Sequence, residues 1–372
     1  MSAVRLGQAL NSLGDEIFIF SSAPRGRPSG FFEFNWGIIR NKHISAPYMS
    51  ISYLLIFALI SFFGLFRFCK KNKIEILSSH SGNLILCFIP SIIGKLLKIP
   101  VVHTQYCEVS SKRTVLNFFS WLLIKVKFFT PDKFVAISRN VQSSLLDAYI
   151  LGQKVIVIPP IIPSYNEQQN TKSLYREKLG FSDNDIIALF IGNLKYNKGI
   201  DVLIDSFIQS ARTLPKLKLV VTTEMVHPDM LERKTRFQEL LTQQGLVEKV
   251  TWLSFVDNIL NLIKNVDLLV VPFLNLDGIS DYPLVVLEAM SVGTPIVATD
   301  VGSTHEILPK NYGLLVPPGD HKALSQGILS IIRNKKKRKK ISDSSFLEKN
   351  FDQKVIGNQY ASLFLNLGNE FD

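Results

Sequence analysis

The sequence predicts an α/β protein of two domains, each a parallel sheet with helices on both faces. Three observations carry this. The chain has 372 residues, the length of about two ordinary domains. Its hydrophobic content is 47%, ample for two packed cores and unlike a disordered chain. Short apolar, β-branched runs alternate with amphipathic helical stretches along most of its length, the pattern of strands buried on both faces.

Val4, Gly7, Leu10 and Leu13 recur at helical spacing, and Gly14 suits the helix end. Glu16 to Ser21 reads as a strand, Ile74 to Ser78 as another, and Ser81 to Leu97 as a helix. Pro100 to Thr104 is a third strand, Val115 to Phe129 an amphipathic helix, Lys133 to Ser138 a strand that runs into a helix, and Lys154 to Pro159 a strand. A linker rich in Pro, Ser and Asn follows from Pro159 to Gln169. The second alternation has strands at Ile186–Ile191, Leu217–Thr223, Val250–Leu253, Asp267–Val271 and Ile296–Thr299, and the tail after Phe351 reads as a helix.

The formal charge of +11 favours anionic partners: phosphorylated substrates, acidic lipid or nucleic acid. No zinc-finger spacing, RNP-like aromatic motif or basic heptad region is present, so nucleic acid is the weakest of the three and is not expected as a partner. Cys69, Cys87 and Cys107 are scattered without a C-x-x-C and read as free thiols in a reducing compartment. The six histidines form no metal-ligand spacing, so no metal is expected. Ser45 to Phe66 is uncharged over 22 residues and Arg67, Lys70, Lys71 and Lys73 follow it. A membrane span there would separate Glu16–Ser21 from Ile74–Ser78, two strands expected in one sheet. A buried or interfacial helix is therefore expected.

Two segments carry chemistry. Ile186 to Asp201 reads strand, Gly192-Asn193 loop, Lys198-Gly199, then a helix whose apolar face is Ile200, Leu203, Ile204, Phe207 and Ala211. A lysine at a helix start beyond a parallel strand suits an anion. Leu276 to Leu308 (LDGISDYPLVVLEAMSVGTPIVATDVGSTHEIL) holds a polar loop ending in Tyr282-Pro283 and an apolar helix start, Leu284-Val285, that carries Glu288. A turn at Gly293-Thr294-Pro295 and a strand follow. A carboxylate in an apolar helix needs a partner, and the vicinal hydroxyls of a ribose are one.

These segments resemble the nucleotide-sugar half of the family-4 glycosyltransferases (glycosyl transferases group 1), with Gly-Arg-Leu-x-x-x-Lys-Gly in the first segment and Glu-x7-Glu, Ala-Met and Gly-Thr-Pro in the second. Glu288 takes the second Glu, Ser280 stands at the first with Asp281 beside it, and Asn193 replaces the Arg. Upstream, Ser78-Ser-His80-Ser-Gly82 and His103-Thr-Gln-Tyr106 resemble the family's His-x-His and His-Thr-Glu-His turns; Tyr106 stands where the last His adjoins the transferred sugar. Taken alone, His80 and His103 also fit packed or capping imidazoles. The Gly-x-Gly turn usual after the second strand of the donor domain is replaced by Thr222-Thr223-Glu224.

The resemblance implies the GT-B fold, two Rossmann-like domains facing each other across a cleft. Residues 1–160 would form the acceptor-side domain, 161–345 the nucleotide-sugar domain, and 346–372 a helix crossing back to the first. In the family a strand and a glycine loop precede the helix with which this chain opens, so Met1 is expected to be an internal or misassigned start. The implied reaction is retaining, metal-independent sugar transfer from a nucleotide-diphosphate donor to a hydroxyl acceptor, with no cofactor. Lys198, Ser280, Asp281 and Tyr106 would be the catalytic set. Gly192, Asn193, Lys198, Tyr282, Pro283, Leu284, Val285 and Glu288 would bind the donor, and His80 and His103 would line the cleft.

The aromatic-flanked Arg113, Lys125 and Lys127 and the run Arg333 to Lys340 favour an anionic membrane surface and a lipid-linked acceptor or surface-polysaccharide precursor. The expected location is cytoplasmic, peripheral at the inner face of the membrane. The substitutions at Ser280, Asn193 and Tyr106 leave open an alternative, a catalytically weak or inactive nucleotide-sugar-binding relative that serves as a partner subunit.

Overall fold

The computed structural model describes residues 2–18, 51–109, 129–148, 150–163, 176–177, 179–223, 228–254, 256, 258–277, 279–334 and 345–371. The chain divides into two compact units, Met1–Ile161 with Gln353–Asp372, and Ile162–Asp352.

The first unit begins with α1 (Ser2–Ser12) and α2 (Ile51–Lys71). Next come β1 (Leu77–Ser81), α3 (Phe88–Leu97), β2 (Val101–Gln105), β3 (Lys133–Ala136), α4 (Arg139–Asp147) and β4 (Val155–Val157). The strands form a parallel sheet in the order β1-β2-β3-β4. Alternation along β2 sends Val102 into a core with Val135 and the α1 residues Leu6, Ala9 and Leu10. Val101 points the other way onto α3, where Gly94 leaves room that a Cβ would close to 2.1 Å.

β1 runs three residues later than its apolar sequence suggests. Lys73, at φ 48°, and the Ile74 amide bonded to the Cys69 carbonyl spend Ile74 on closing α2. The ladder with β2 then takes the polar Ser78, Ser79 and His80. Glu16 to Phe18 are not in a strand, and residues 19–21 lie outside the described residues. The expected helix over 115–129 lies outside them as well, apart from Phe129, as do residues 335–340 of the basic run. Within the apolar stretch 45–66, the described side chains Ser61 and Leu65 are buried, and Leu65 packs with Cys69 against Ile93 of α3. Among the described residues no helix is long and apolar enough to cross a membrane.

The second unit holds β5 (Ile186–Ile191), α5 (Ile200–Thr213), β6 (Leu217–Thr222), α6 (Pro228–Gln243), β7 (Val250–Leu253), α7 (Ile259–Asn265) and β8 (Leu268–Val271). It continues with α8 (Leu284–Ser291), β9 (Ile296–Thr299), α9 (Thr304–Ile307), β10 (Gly313–Val316), α10 (His321–Arg333) and α11 (Ser345–Phe351). Its six strands are parallel in the order β10-β9-β8-β5-β6-β7. The chain winds outward from β5 to one side and from β8 to the other, so the strand order reverses between β5 and β8. Open α/β sheets bind ligands beyond the carboxyl ends of the strands at such a reversal. β10 escapes sequence detection because it opens on a glycine and carries a run of only three apolar residues, Leu314 to Val316. It lies against β9 through Gly313, where a Cβ would meet the Ile296 carbonyl at 2.2 Å.

The last helix, α12 (Gln353–Phe371), belongs to the first unit, where Ile356, Tyr360 and Leu367 join the α1 core. The tail read from sequence as one piece from residue 346 thus parts at Asp352, with α11 in the second unit.

Candidate active site

The carboxyl ends of β5 and β8 are bolted together by their loops. The Leu274 amide donates to the Asn197 carbonyl at 2.9 Å, and the Asn197 side chain donates to the Asp277 carbonyl at 3.0 Å. Gly199, at φ 69°, ends the β5 loop and opens α5. A Cβ there would sit 1.7 Å from the Pro272 carbonyl oxygen, so only glycine allows this approach. Gly192 stays small beside the Phe190 ring and the Lys198 stem. Asn193 accepts the Lys195 amide at 3.3 Å and shapes the loop.

Lys198 ends half-buried at the reversal, its Nζ 3.9 Å from the centroid of the Phe273 ring. Burial, and then the charge of Lys195, hold its ammonium down to about 8. At neutral pH it is still a cation, and no hydrogen bond or ion pair to another described residue engages it.

α8 starts at Pro283 with no side-chain cap. The Leu284 and Val285 amides therefore have no intrahelical acceptor, and the helix presents partial positive charge there. Glu288 is 9% exposed and Asp281 0%. Asp281 faces Gly302, whose added Cβ would meet its Oδ1 at 2.5 Å. It is thus packed inward rather than presented in the loop beside Ser280. The Tyr282 hydroxyl donates to Glu306 at 2.7 Å, and its ring packs edge-on against Phe351, which fixes the loop ahead of α8.

Three hydroxyls in this unit, on Ser280, Ser303 and Thr223, are buried without a hydrogen-bond partner among the described residues. Buried hydroxyls are ordinarily paired, and pairing to a ligand is one way to complete them. Sequence reading identified Ser280 by its motif position but missed Ser303, which follows Gly302, and Phe273, which follows Pro272 at the end of β8. Phe273 stands two residues past the end of β8 and Ser303 four past the end of β9, and a polar or aromatic residue shortly beyond a strand's carboxyl end was the available signal.

In the first unit the predicted residues also come together, but they satisfy one another. The Gln105 side-chain nitrogen donates to the carbonyls of Gly82 at 2.9 Å and Cys107 at 2.8 Å, so its oxygen must face His103 Nε2, 3.2 Å away. That assigns the proton to Nε2 and leaves Nδ1 to accept from Ser79 Oγ at 2.7 Å. His80 is bracketed by Ser78 Oγ and the Tyr106 hydroxyl, each at 3.1 Å. Burial drives both imidazoles down, His80 to about 3 with the neighbouring His103 adding to the shift, and His103 to about 4. Both are neutral at pH 7. Tyr360 of α12 pairs with Thr104 at 2.9 Å beneath this cluster.

Residues 1–164 match the family described as Glycosyltransferase Family 4, and residues 171–346 match Glycosyl transferases group 1. The chain belongs to the family-4, group 1 glycosyltransferases. A glycosyltransferase of Methanocaldococcus jannaschii is 31% identical over 157 residues, which cover 41% of this chain and 37% of that protein. An Escherichia coli UDP-Gal:alpha-D-GlcNAc-diphosphoundecaprenol alpha-1,3-galactosyltransferase is 22% identical over 324 residues, covering 82% of this chain and 80% of that one. The chain spans less than half the length of several curated relatives that it matches.

Among solved structures, a Rickettsia africae glycosyltransferase superposes with a TM-score of 0.76 at 16% identity, over 98% of this chain and 94% of that one. Anabaena HepE, in complex with UDP and glucose, gives 0.70 at 19% identity over 86% and 84%. These likenesses establish the GT-B class: two parallel sheets flanked by helices.

Proposed function

We propose that this protein transfers a sugar from a nucleotide-diphosphate donor to a hydroxyl acceptor, with retention and without a metal. The observation that carries this reading is the set of unengaged positive groups at the β5/β8 reversal: the Lys198 ammonium and the uncapped amides of Leu284 and Val285. A leaving diphosphate develops negative charge as the glycosidic bond breaks, and preorganised donors aimed at it lower the barrier. Glu288 would receive the ribose hydroxyls, and Ser280 would donate one hydrogen bond toward the sugar. In the other unit, neutral His80 and Tyr106 would orient groups by hydrogen bonding rather than carry charge.

The donor is a uridine nucleotide in this reading, supported by the UDP-bound relative and the UDP-galactose transferase. The same transferase acts on a diphosphoundecaprenol substrate, which favours a lipid-linked acceptor here. Exposed Phe63, Arg67, Lys70 and Lys71 on α2 suit peripheral contact with the anionic cytoplasmic face of a membrane.

Thermal shifts with UDP, GDP and ADP test the donor half. Only a ligand that binds the folded state raises the midpoint by mass action. The expected result is a shift with UDP that is lost in Lys198→Ala and Glu288→Ala. Mass spectrometry with UDP-sugars and a prenyl-diphosphate sugar then tests transfer. Binding without turnover on any acceptor would move the reading to a nucleotide-sugar-binding partner subunit.

A further inference from the structure

We propose that Phe273 is a positioning residue for Lys198, its ring holding the ammonium at the β5/β8 reversal before the donor's diphosphate arrives. The inference rests on the donor-site reading above and adds a residue to it.

The geometry is specific. Lys198 Nζ stands 3.9 Å from the ring centroid, well inside the distance at which an ammonium is drawn to an aromatic face. The ring has little freedom: Phe273 is 2% exposed, and its carbonyl accepts from Thr299 Oγ1 at 2.6 Å. The next amide, of Leu274, donates to Asn197, the residue that precedes Lys198. Gly199, which follows Lys198, lies against Pro272, which precedes Phe273. The two neighbours of the lysine are thus fastened to the two neighbours of the ring, and the pair cannot separate without breaking the loop contacts.

A lysine has four side-chain torsions and loses much freedom when ordered. A face that attracts the cation without neutralising it keeps the charge available for a phosphate, whereas a carboxylate partner would compete with the phosphate. An aromatic ring is the side chain that meets both needs. Burial of the stem and ring also explains why the amine titrates below an ordinary lysine.

The test is the position of the Lys198 ε-methylene resonance in protein labelled with 13C-ε-lysine, assigned by its disappearance in Lys198→Arg. Protons held over a ring face are shielded, so this resonance is expected upfield of the other lysines, without any ligand. It should return to the common position in Phe273→Leu and stay upfield in Phe273→Tyr. UDP affinity should fall about tenfold in Phe273→Leu, because the lysine must then be ordered at the moment of binding. It should fall no further when Phe273→Leu is added to Lys198→Ala.

A wild-type Lys198 resonance at the common lysine position would overturn the inference, as would unchanged UDP affinity in Phe273→Leu beside a clear loss in Lys198→Ala. If wild-type protein binds no nucleotide, the donor-site reading fails. The ring-current result still decides whether Phe273 holds Lys198.

Discussion

The two polar clusters of this chain are built on opposite principles. In the first unit, His103, Gln105, Ser79, His80, Ser78 and Tyr106 pair with one another until both nitrogens of each imidazole are engaged. In the second, Lys198 faces only a ring, and the hydroxyls of Ser280, Ser303 and Thr223 are buried without partners among the described residues. The sheets differ in the same sense. The described strands of the first unit follow in simple succession, whereas the second sheet reverses its order between β5 and β8, where Lys198 meets Phe273. A satisfied buried network stabilises and rigidifies a fold. An unsatisfied one costs stability and persists where a ligand completes it. The proposed donor role of Lys198 rests on this contrast, in which His103 is satisfied by its neighbours.

The largest expected effect would break the frame that holds the open cluster. Gly199→Ala places a Cβ against the Pro272 carbonyl at a positive φ, and the loop must move. A loss of about 3 kcal/mol or more in urea unfolding is expected. Next comes the satisfied cluster: His103→Ala leaves the buried Gln105 side-chain oxygen without its partner, and leaves the Ser79 hydroxyl only its longer contact to the Val102 carbonyl at 3.4 Å. It should cost about 2–3 kcal/mol in the same assay, yet leave UDP affinity within a factor of about two.

Lys198→Ala should do the reverse, with a near-normal melt and UDP affinity lower by about thirtyfold, corresponding to about 2 kcal/mol for a charged contact. In the wild type, affinity should decline as pH rises past about 8, where the unliganded amine loses its proton.

The histidines give the comparison a pH signature. Their folded values lie below the ordinary 6.5, so from pH 6.5 downward the unfolded chain takes up protons that the folded one refuses. Stability should hold at pH 7, fall between about 6.5 and 4, and level off as His103 and then His80 titrate in the fold. Melts at about pH 7, 5.5 and 4.5 should show a shallower decline in His103→Gln. The smallest effect is also the most discriminating in sign. Ser303→Ala removes a hydroxyl without a partner, so the ligand-free protein should gain up to about 1 kcal/mol, and a loss would show that the hydroxyl is already satisfied.

Much of this was legible in the sequence because local signals agreed with the fold. Ile186–Ile191, Val250–Leu253 and Ile296–Thr299 are strands as read, since apolar β-branched runs between turn residues have few other uses. Lys198 and Glu288 stand out by a strand-loop-helix pattern, an apolar helix and the family resemblance, and the structure puts Lys198 at the sheet reversal and Glu288 in α8. The rest depended on contacts far apart in sequence. β1 takes polar residues because a neighbouring strand supplies its ladder, and β10 depends on Gly313 approaching β9. Asp281 beside Ser280 reads as a spare carboxylate, but Gly302 makes room for it on the inside. Phe273 and Lys198 are 75 residues apart by their numbers, 273 less 198, and only the sheet order brings them together.

The most direct test of the division of labour is calorimetric titration of UDP into wild-type protein, Lys198→Ala and His103→Ala under one buffer. The account predicts saturable binding in the wild type, near-equal binding in His103→Ala, and a loss of at least tenfold in Lys198→Ala. Equal binding in Lys198→Ala, or a loss confined to His103→Ala, would contradict it.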